Sequence, residues 1–142
     1  MRTTKRGQSY RVRITQSPVK NPEHYAQVLQ LMDRLPFPYT IDSRDGSANI
    51  TILRKQLYMY VKQFGHSEDK FIPEWIFHAP TAARWAFVDA ILKGDGKGAR
   101  DLCTISSRLA NDFARLMFEL GQSVNNIKEL QKYEHTKRQV NP

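Results

Sequence analysis

The chain is predicted to fold as a mixed α/β (α+β) protein, and three observations carry that prediction. Tyr10-Arg-Val-Arg-Ile-Thr-Gln16 alternates apolar and polar residues, the period of a half-buried strand. An Asp45-Gly46 pair in a polar loop between two short apolar runs signals a tight hairpin. Strand, cap and helix at 14–35 are echoed at 103–120, with Leu31-Met32-x-x-Leu35 and Leu116-Met117-x-x-Leu120 lying 85 residues apart. Such self-similarity points to a duplicated unit.

The elements follow in chain order. Residues 1–8 read as a flexible basic N-terminus. In the first strand Tyr10, Val12 and Ile14 take one face, and Arg11, Arg13 and Thr15 the other. Asn21-Pro22-Glu23 has the order of an N-cap, an N1 proline and a first-turn acid. The helix that follows is expected to bury Tyr25, Val28, Leu29, Met32 and Leu35. Pro36 and Pro38 end it, Phe37, Tyr39 and Ile41 form a second strand, and the hairpin turns the chain into Ala48–Leu53. A helix over about Arg54–Phe64 should turn Leu57, Tyr60, Val61 and Phe64 inward and stop at Gly65. Pro73 opens a short helical turn through Trp75 and Ile76, and Pro80 or Thr81 starts a longer helix. After Gly98, Asp101–Ser106 reads as a strand with Cys103 as a core thiol. Ser106 or Ser107 then caps a helix with Leu109, Phe113, Leu116, Met117 and Leu120 inward. Trp75 and Trp85 read as packing anchors. From Gln122 the periodicity fades, and 126–142 reads as a polar tail.

Composition narrows the function classes. With 142 residues the chain holds one sizeable core or two small lobes. No apolar run approaches the ~20 residues of a membrane span, and the basic N-terminus lacks an apolar signal core. A single cysteine, Cys103, excludes intramolecular disulfides and thiolate zinc clusters, so an intracellular, non-secreted setting is expected. His24, His66, His78 and His135 show no ligand spacing. The net charge of +8 is uneven: six cations, Arg2, Lys5, Arg6, Arg11, Arg13 and Lys20, precede the first acid, Glu23. Such a block suits a nucleic-acid footprint, a solubilising tail or a surface drawn to anionic lipid. The interleaving of Arg11 and Arg13 with apolar strand residues favours nucleic acid, because a two-stranded ribbon fits the major groove. Its alternative is a charged sheet face that discourages aggregation. Gln16, Thr51 and Arg54 are candidates for the same surface.

The most informative segment is Trp85-Ala-Phe-Val-Asp-Ala-Ile-Leu-Lys-Gly-Asp-Gly96. Ala82, Ala86, Ala90 and Gly94 recur every fourth residue, so one ridge of this helix has almost no side-chain bulk and a partner helix can approach it closely. The helix then delivers Asp95 between two glycines. Two such helices side by side bring an acid from each to one end, where a divalent cation binds between them. Lys93, Lys97 and Arg100 flank Asp95 and suit phosphate contact or polarisation. The simpler reading is that Asp95-Gly96 is a turn after a helix and the lysines are a solvated loop.

At Phe87-Val-Asp-Ala-Ile-Leu-Lys-Gly-Asp-Gly96 the chain resembles the LAGLIDADG (dodecapeptide) homing endonucleases, particularly the intein-embedded kind. Lys70-Phe-Ile-Pro-Glu74 looks like the approach to the second motif of that family. Thr104-Ile-Ser-Ser-Arg-Leu-Ala110 looks like the strand and helix after it. Tyr10–Ser17 and Gln56–Gly65 look like the body of the first repeat. The resemblance implies antiparallel sheets with packed helices in a duplicated repeat, the motif helices at the centre and the sheets on double-stranded DNA. By position it implies that Asp95 is the catalytic acid and ligand of Mg²⁺, with Lys97 beside it in catalysis. It makes Arg11, Arg13, Lys5, Arg6, Lys93 and Arg100 the DNA-binding set, and Ala82, Ala86, Ala90 and Gly94 the helix seam. Residues 9–79 are then the remainder of a first repeat, and 80–125 the motif helix, strand and helix of a second. The repeat is incomplete, with the first motif absent, so a fragment, a split enzyme or a domesticated remnant is expected. Cleavage requires a second chain or copy that supplies another acidic motif helix. The alternative is a catalytically inactive protein that binds nucleic acid or serves in the assembly of a larger complex. No membrane partner is expected.

Overall fold

The computed structural model describes residues 9–97 and 101–124, and the chain divides after Gly65 into two compact units. The predicted flexible start (1–8) and polar tail (126–142) lie outside the described residues.

The first unit runs β1 (Val12–Gln16), α1 (Pro22–Arg34), β2 (Tyr39–Arg44), β3 (Ser47–Ile52) and α2 (Lys55–Lys62). Its sheet is antiparallel in the order β1-β3-β2, with Ile50 opposite both Ile14 and Ile41. The β2–β3 hairpin turns on Asp45 (φ 50°) and Gly46 (φ 75°), the two positive φ values that a type I′ turn demands. Alternation in β3 is strict: Ala48, Ile50 and Ile52 are buried, while Ser47, Asn49 and Thr51 are half-buried on the other face. Met32 joins Ile50 and Ile52 in the core, and Tyr25, Val28, Leu29, Phe37, Tyr39 and Leu57 pack against it. One sheet face is thus covered by helices and the other is left polar.

Several expectations are corrected here. Leu35 is exposed, because the chain leaves the helix there in an extended conformation (ψ 144°) and its side chain departs the buried stripe. Asn21 precedes α1 but its side chain makes no cap; Asn21 Nδ2 donates to Gln16 Oε1 instead (3.2 Å). The second strand starts at Tyr39 rather than Phe37. α2 is eight residues long and leaves Tyr60 and Val61 exposed, so only Leu57 serves the core as expected. Tyr58 rather than Tyr60 turns towards the strand side, its ring edge-on to Tyr10 at 5.5 Å.

The second unit runs α3 (Glu74–Phe77), α4 (Thr81–Asp95), β4 (Gly96–Lys97), β5 (Asp101–Leu102) and α5 (Ser107–Glu119). Its core joins Ile72, Ile76, Phe77, Val88, Leu109, Phe113 and Leu116, with Phe87, Ile91, Leu92, Leu102, Met117 and Leu120 against it. Residues 66–79, which the repeat reading groups with the first half, pack in this unit, since Ile72, Ile76 and Phe77 have their apolar partners here. The expected strand over Asp101–Ser106 is only the two residues of β5, paired antiparallel with β4. Thr104 Oγ1 accepts the Ser106 amide and turns the chain into α5 before a longer strand can form. Cys103 is exposed, not a core thiol, and Trp75 and Trp85 are exposed as well.

The internal echo holds at the level of elements. α1 and α5 each have 13 residues, and their starts and ends are offset by the same 85 residues as the apolar motif. Their inward faces differ by one position, for Met32 is buried in α1 and Leu116 in α5, while Leu31 is exposed. No helix among the described residues is long and apolar enough to cross a membrane.

Candidate active site

α4 is built around the motif. Phe87, Val88, Ile91 and Leu92 face the core of the second unit, three to four residues apart. The ridge of Ala82, Ala86, Ala90 and Gly94 sits roughly 200° round the helix from the Val88 row, and all four residues are exposed. A Cβ placed on Gly94 would meet nothing within 4 Å.

Asp95 is the last residue of α4. The Gly96 amide still donates to the Leu92 carbonyl, after which the chain turns extended (ψ 151°) into β4. A side chain at Gly96 would run into the Leu92 backbone, so this exit needs glycine. The Cys103 amide donates to the Asp95 carbonyl (3.2 Å), tying the helix end to the strand that returns beside it. The Asp95 carboxylate is thus held at the negative end of the α4 dipole, where a cation is doubly favoured.

A cation is present there. Lys70 Nζ lies 3.0 Å from Asp95 Oδ2, with both side chains about two-fifths exposed (41% and 43%). Lys70 was not legible as a site residue, because the two positions are 25 residues apart and share no local spacing. The available signal was the Lys70-Phe-Ile-Pro-Glu74 segment, which reads as an approach to the motif without a chemical role. Lys70 is in turn anchored by α5. Ser106 Oγ donates to the Lys70 carbonyl (2.7 Å) and accepts the Leu109 amide (3.1 Å), capping the helix in the same stroke.

The other flanking cations divide. Lys93 pairs with Asp89 one turn back on α4 (2.7 Å). The backbone of Lys97 lies in β4 opposite Asp101, but its side chain lies outside the described ones, as do Arg100, Lys5 and Arg6. Among the described residues no three His, Cys, Asp or Glu side chains gather to hold a metal ion. Asp95 supplies one hard carboxylate oxygen, the ligand type magnesium takes one or two at a time while keeping its waters. This fits half of a magnesium site.

In the first unit Arg13 and Thr15 share the polar sheet face with Asn49 and Thr51, and Arg13 is directly opposite Thr51. Thr15 Oγ1 donates to Asn49 Oδ1 (2.7 Å). Thr40, Asp42 and Arg44 extend that face on β2, where Arg44 Nε lies 3.3 Å from Asp42 Oδ2. Arg11 is exposed just before β1, and Arg54 is exposed before α2. Gln16 belongs to the opposite face, in register with Ala48, and its side-chain oxygen accepts the Ser17 amide; it does not join the polar surface.

Comparison with known proteins gives two kinds of likeness. No family model matches the chain. The chain is 32% identical over 134 residues to a DNA polymerase of Thermococcus sp. (strain GE8), covering 89% of this chain and 7% of that protein. It is 30% identical over 81 residues to the gyrase A protein of Mycobacterium kansasii, one of the two components of DNA gyrase, covering 51% of this chain and 15% of that protein. The chain therefore spans only a small part of the curated relatives it matches. Among solved structures it resembles mesophilic variants of the homing endonuclease I-DmoI, with a TM-score of 0.61 and 21% identity over 93% of this chain and 68% of that one. A variant of I-DmoI in complex with its target DNA in the presence of magnesium matches with a TM-score of 0.59 and 21% identity, over 93% of this chain and 73% of that one. The fold is that of the LAGLIDADG homing endonucleases, with antiparallel strands and packed helices.

Proposed function

We propose that the chain is a DNA-binding, homing-endonuclease-like module of the intein-type LAGLIDADG kind, which hydrolyses phosphodiesters of duplex DNA once a second acidic motif completes it. The observation that carries the reading is Asp95 at the end of α4, reached along an exposed ridge of small residues that leaves room for another helix. A second chain or copy, packed on Ala82, Ala86, Ala90 and Gly94, supplies the other acid. The occurrence of one segment in proteins as different as a polymerase and a gyrase, at 7% and 15% of their lengths, is what an inserted mobile module leaves behind.

Magnesium, when bound, supplies the activation of water and the stabilisation of a leaving oxygen that phosphodiester hydrolysis needs. Asp95 supplies a carboxylate ligand for it. Lys70, with Lys97 on the adjoining strand, offsets the repulsion between that carboxylate and an approaching phosphate. Arg13 and Arg11 orient the duplex from the polar sheet face, and Lys93 and Arg100 add positive charge near Asp95, with Lys5 and Arg6 ahead of the first strand.

The test is plasmid nicking with Mg²⁺, comparing wild type with Asp95→Asn. Wild-type nicking that disappears in Asp95→Asn, with duplex binding retained, is the expected result. Equal nicking by both proteins overturns the assignment of Asp95. Salt-dependent binding without nicking by either identifies a DNA-binding or assembly protein instead.

A further inference from the structure

Lys70, Ile72 and Glu74 are alternate residues of the segment that leads into α3, and each is bonded to α5 or its cap. The Lys70 carbonyl accepts from Ser106 Oγ (2.7 Å), and the Ile72 amide donates to Asp112 Oδ2 (3.0 Å). The Glu74 carboxylate receives both arms of the Arg115 guanidinium (3.1 Å each). Residues two apart in an extended segment point the same way, so α5 grips one side of this stretch along its length. Arg115 also lies over the Phe77 ring, 3.9 Å from its centroid, which extends the grip into α3.

Ser106 stands apart among these anchors. It is 1% exposed, the one buried polar side chain among the described residues. A buried hydroxyl has one proton to give, and here the Lys70 carbonyl takes it while the hydroxyl oxygen takes the Leu109 amide. An N-cap needs only the acceptor half of that arrangement. The donor half fixes the main chain of the one residue whose ammonium reaches Asp95. We propose that Ser106 is a positioning residue: from the N-cap of α5 it holds Lys70 so that its ammonium meets the Asp95 carboxylate. The consequence for cleavage rests on the nuclease reading above; the positioning itself does not.

Carbodiimide cross-linking of the full-length protein, read by peptide mass spectrometry, tests the two separately. The reagent activates the Asp95 carboxyl, the Lys70 amine displaces the urea, and an amide bond forms with net loss of water. The Lys93–Asp89 pair lies one turn apart within α4, independent of Ser106, and serves as the internal standard. Ser106→Ala should lower the ratio of Lys70–Asp95 to Lys93–Asp89 cross-links about fivefold, the population change an ordinary lost hydrogen bond produces. Ser106→Thr, which keeps the hydroxyl, should restore it. Leu116→Ala, which weakens the same core without touching Lys70, should leave the ratio unchanged when measured well below its melting temperature. An unchanged ratio in Ser106→Ala, or an equal fall in Leu116→Ala, overturns the proposal. Where wild type nicks DNA, Ser106→Ala in a Lys70→Met background should cost nothing further, and additive losses also overturn it. A fall in the ratio in a protein that never nicks removes the nuclease reading and leaves Ser106 in its role.

Discussion

Gly94 and Gly96 lie two residues apart at the end of α4, and the same substitution at each should move stability in opposite directions. At Gly94 an added Cβ meets open space on a solvent-facing turn of helix. Alanine there gains helix propensity, so Gly94→Ala should stabilise by about 0.5–1 kcal/mol. At Gly96 the added carbon is driven into the carbonyl and Cα of Leu92, which are backbone atoms with no rotamer to yield. The last turn of α4 must open or β4 must swing away, a distortion in the class of overpacking, which costs about 1–3 kcal/mol. For a unit of this size each kcal/mol is roughly 4–8 °C in melting temperature. Gly94→Ala should therefore melt a few degrees higher than wild type and Gly96→Ala clearly lower, by calorimetry or circular dichroism at one pH. Gly96→Ala should also reduce nicking more than Gly94→Ala, since the displaced turn carries Asp95. Equal shifts of the same sign, or a Gly96→Ala protein as stable as wild type, would refute the account of how the chain leaves the helix.

Leu116 is fully enclosed in the second core, so Leu116→Ala should lose about 3 kcal/mol by denaturant titration, the usual cost of such a cavity; a loss well under 1 kcal/mol would mean that this core repacks freely. The Glu74 carboxyl is held below its ordinary value, first by the Arg115 hydrogen bonds and then by the charges of Arg115 and His78. A depressed carboxylate stabilises at neutral pH and loses that contribution as the pH falls through its folded value. The melting-temperature gap between wild type and Glu74→Gln should accordingly close below about pH 4; a gap that persists in acid contradicts the pairing. Arg13→Ala should reduce the magnitude of the log–log salt slope of duplex binding by about 0.9 if Arg13 meets one phosphate. An unchanged slope with weakened binding to one base position assigns Arg13 to base contact instead.

What was legible in the chain follows from how local each cause is. The alternation of 10–16, the Asp45-Gly46 turn and the Ser106 cap are decided within a few residues, and the structure has all three. Burial at element ends was not legible. Leu35, Tyr60 and Val61 keep helical spacing in the sequence, yet one follows an exit into extended backbone and the other two lie on a short helix that offers a single residue, Leu57, to its core. The two-residue β4–β5 ladder is too brief to leave a period of 2. At the candidate site, Asp95 was legible because its helix and glycines are contiguous. Lys70 was not, because its partner is chosen by the α5 anchors on its main chain rather than by any spacing along the chain.

The central place of β3 has a consequence for the order in which the first unit assembles. β2 and β3 are joined by two residues, so their pairing closes on the microsecond scale of a hairpin. β1 joins β3 only after a closure such as Thr15 to Asn49, 34 residues apart, with α1 in the intervening loop. That closure removes roughly 3 kcal/mol of chain entropy by the logarithmic law before any contact is gained. The arginine strand is therefore the last rail to be laid, and a nascent chain completes its polar face only when the hairpin is already in place to receive it.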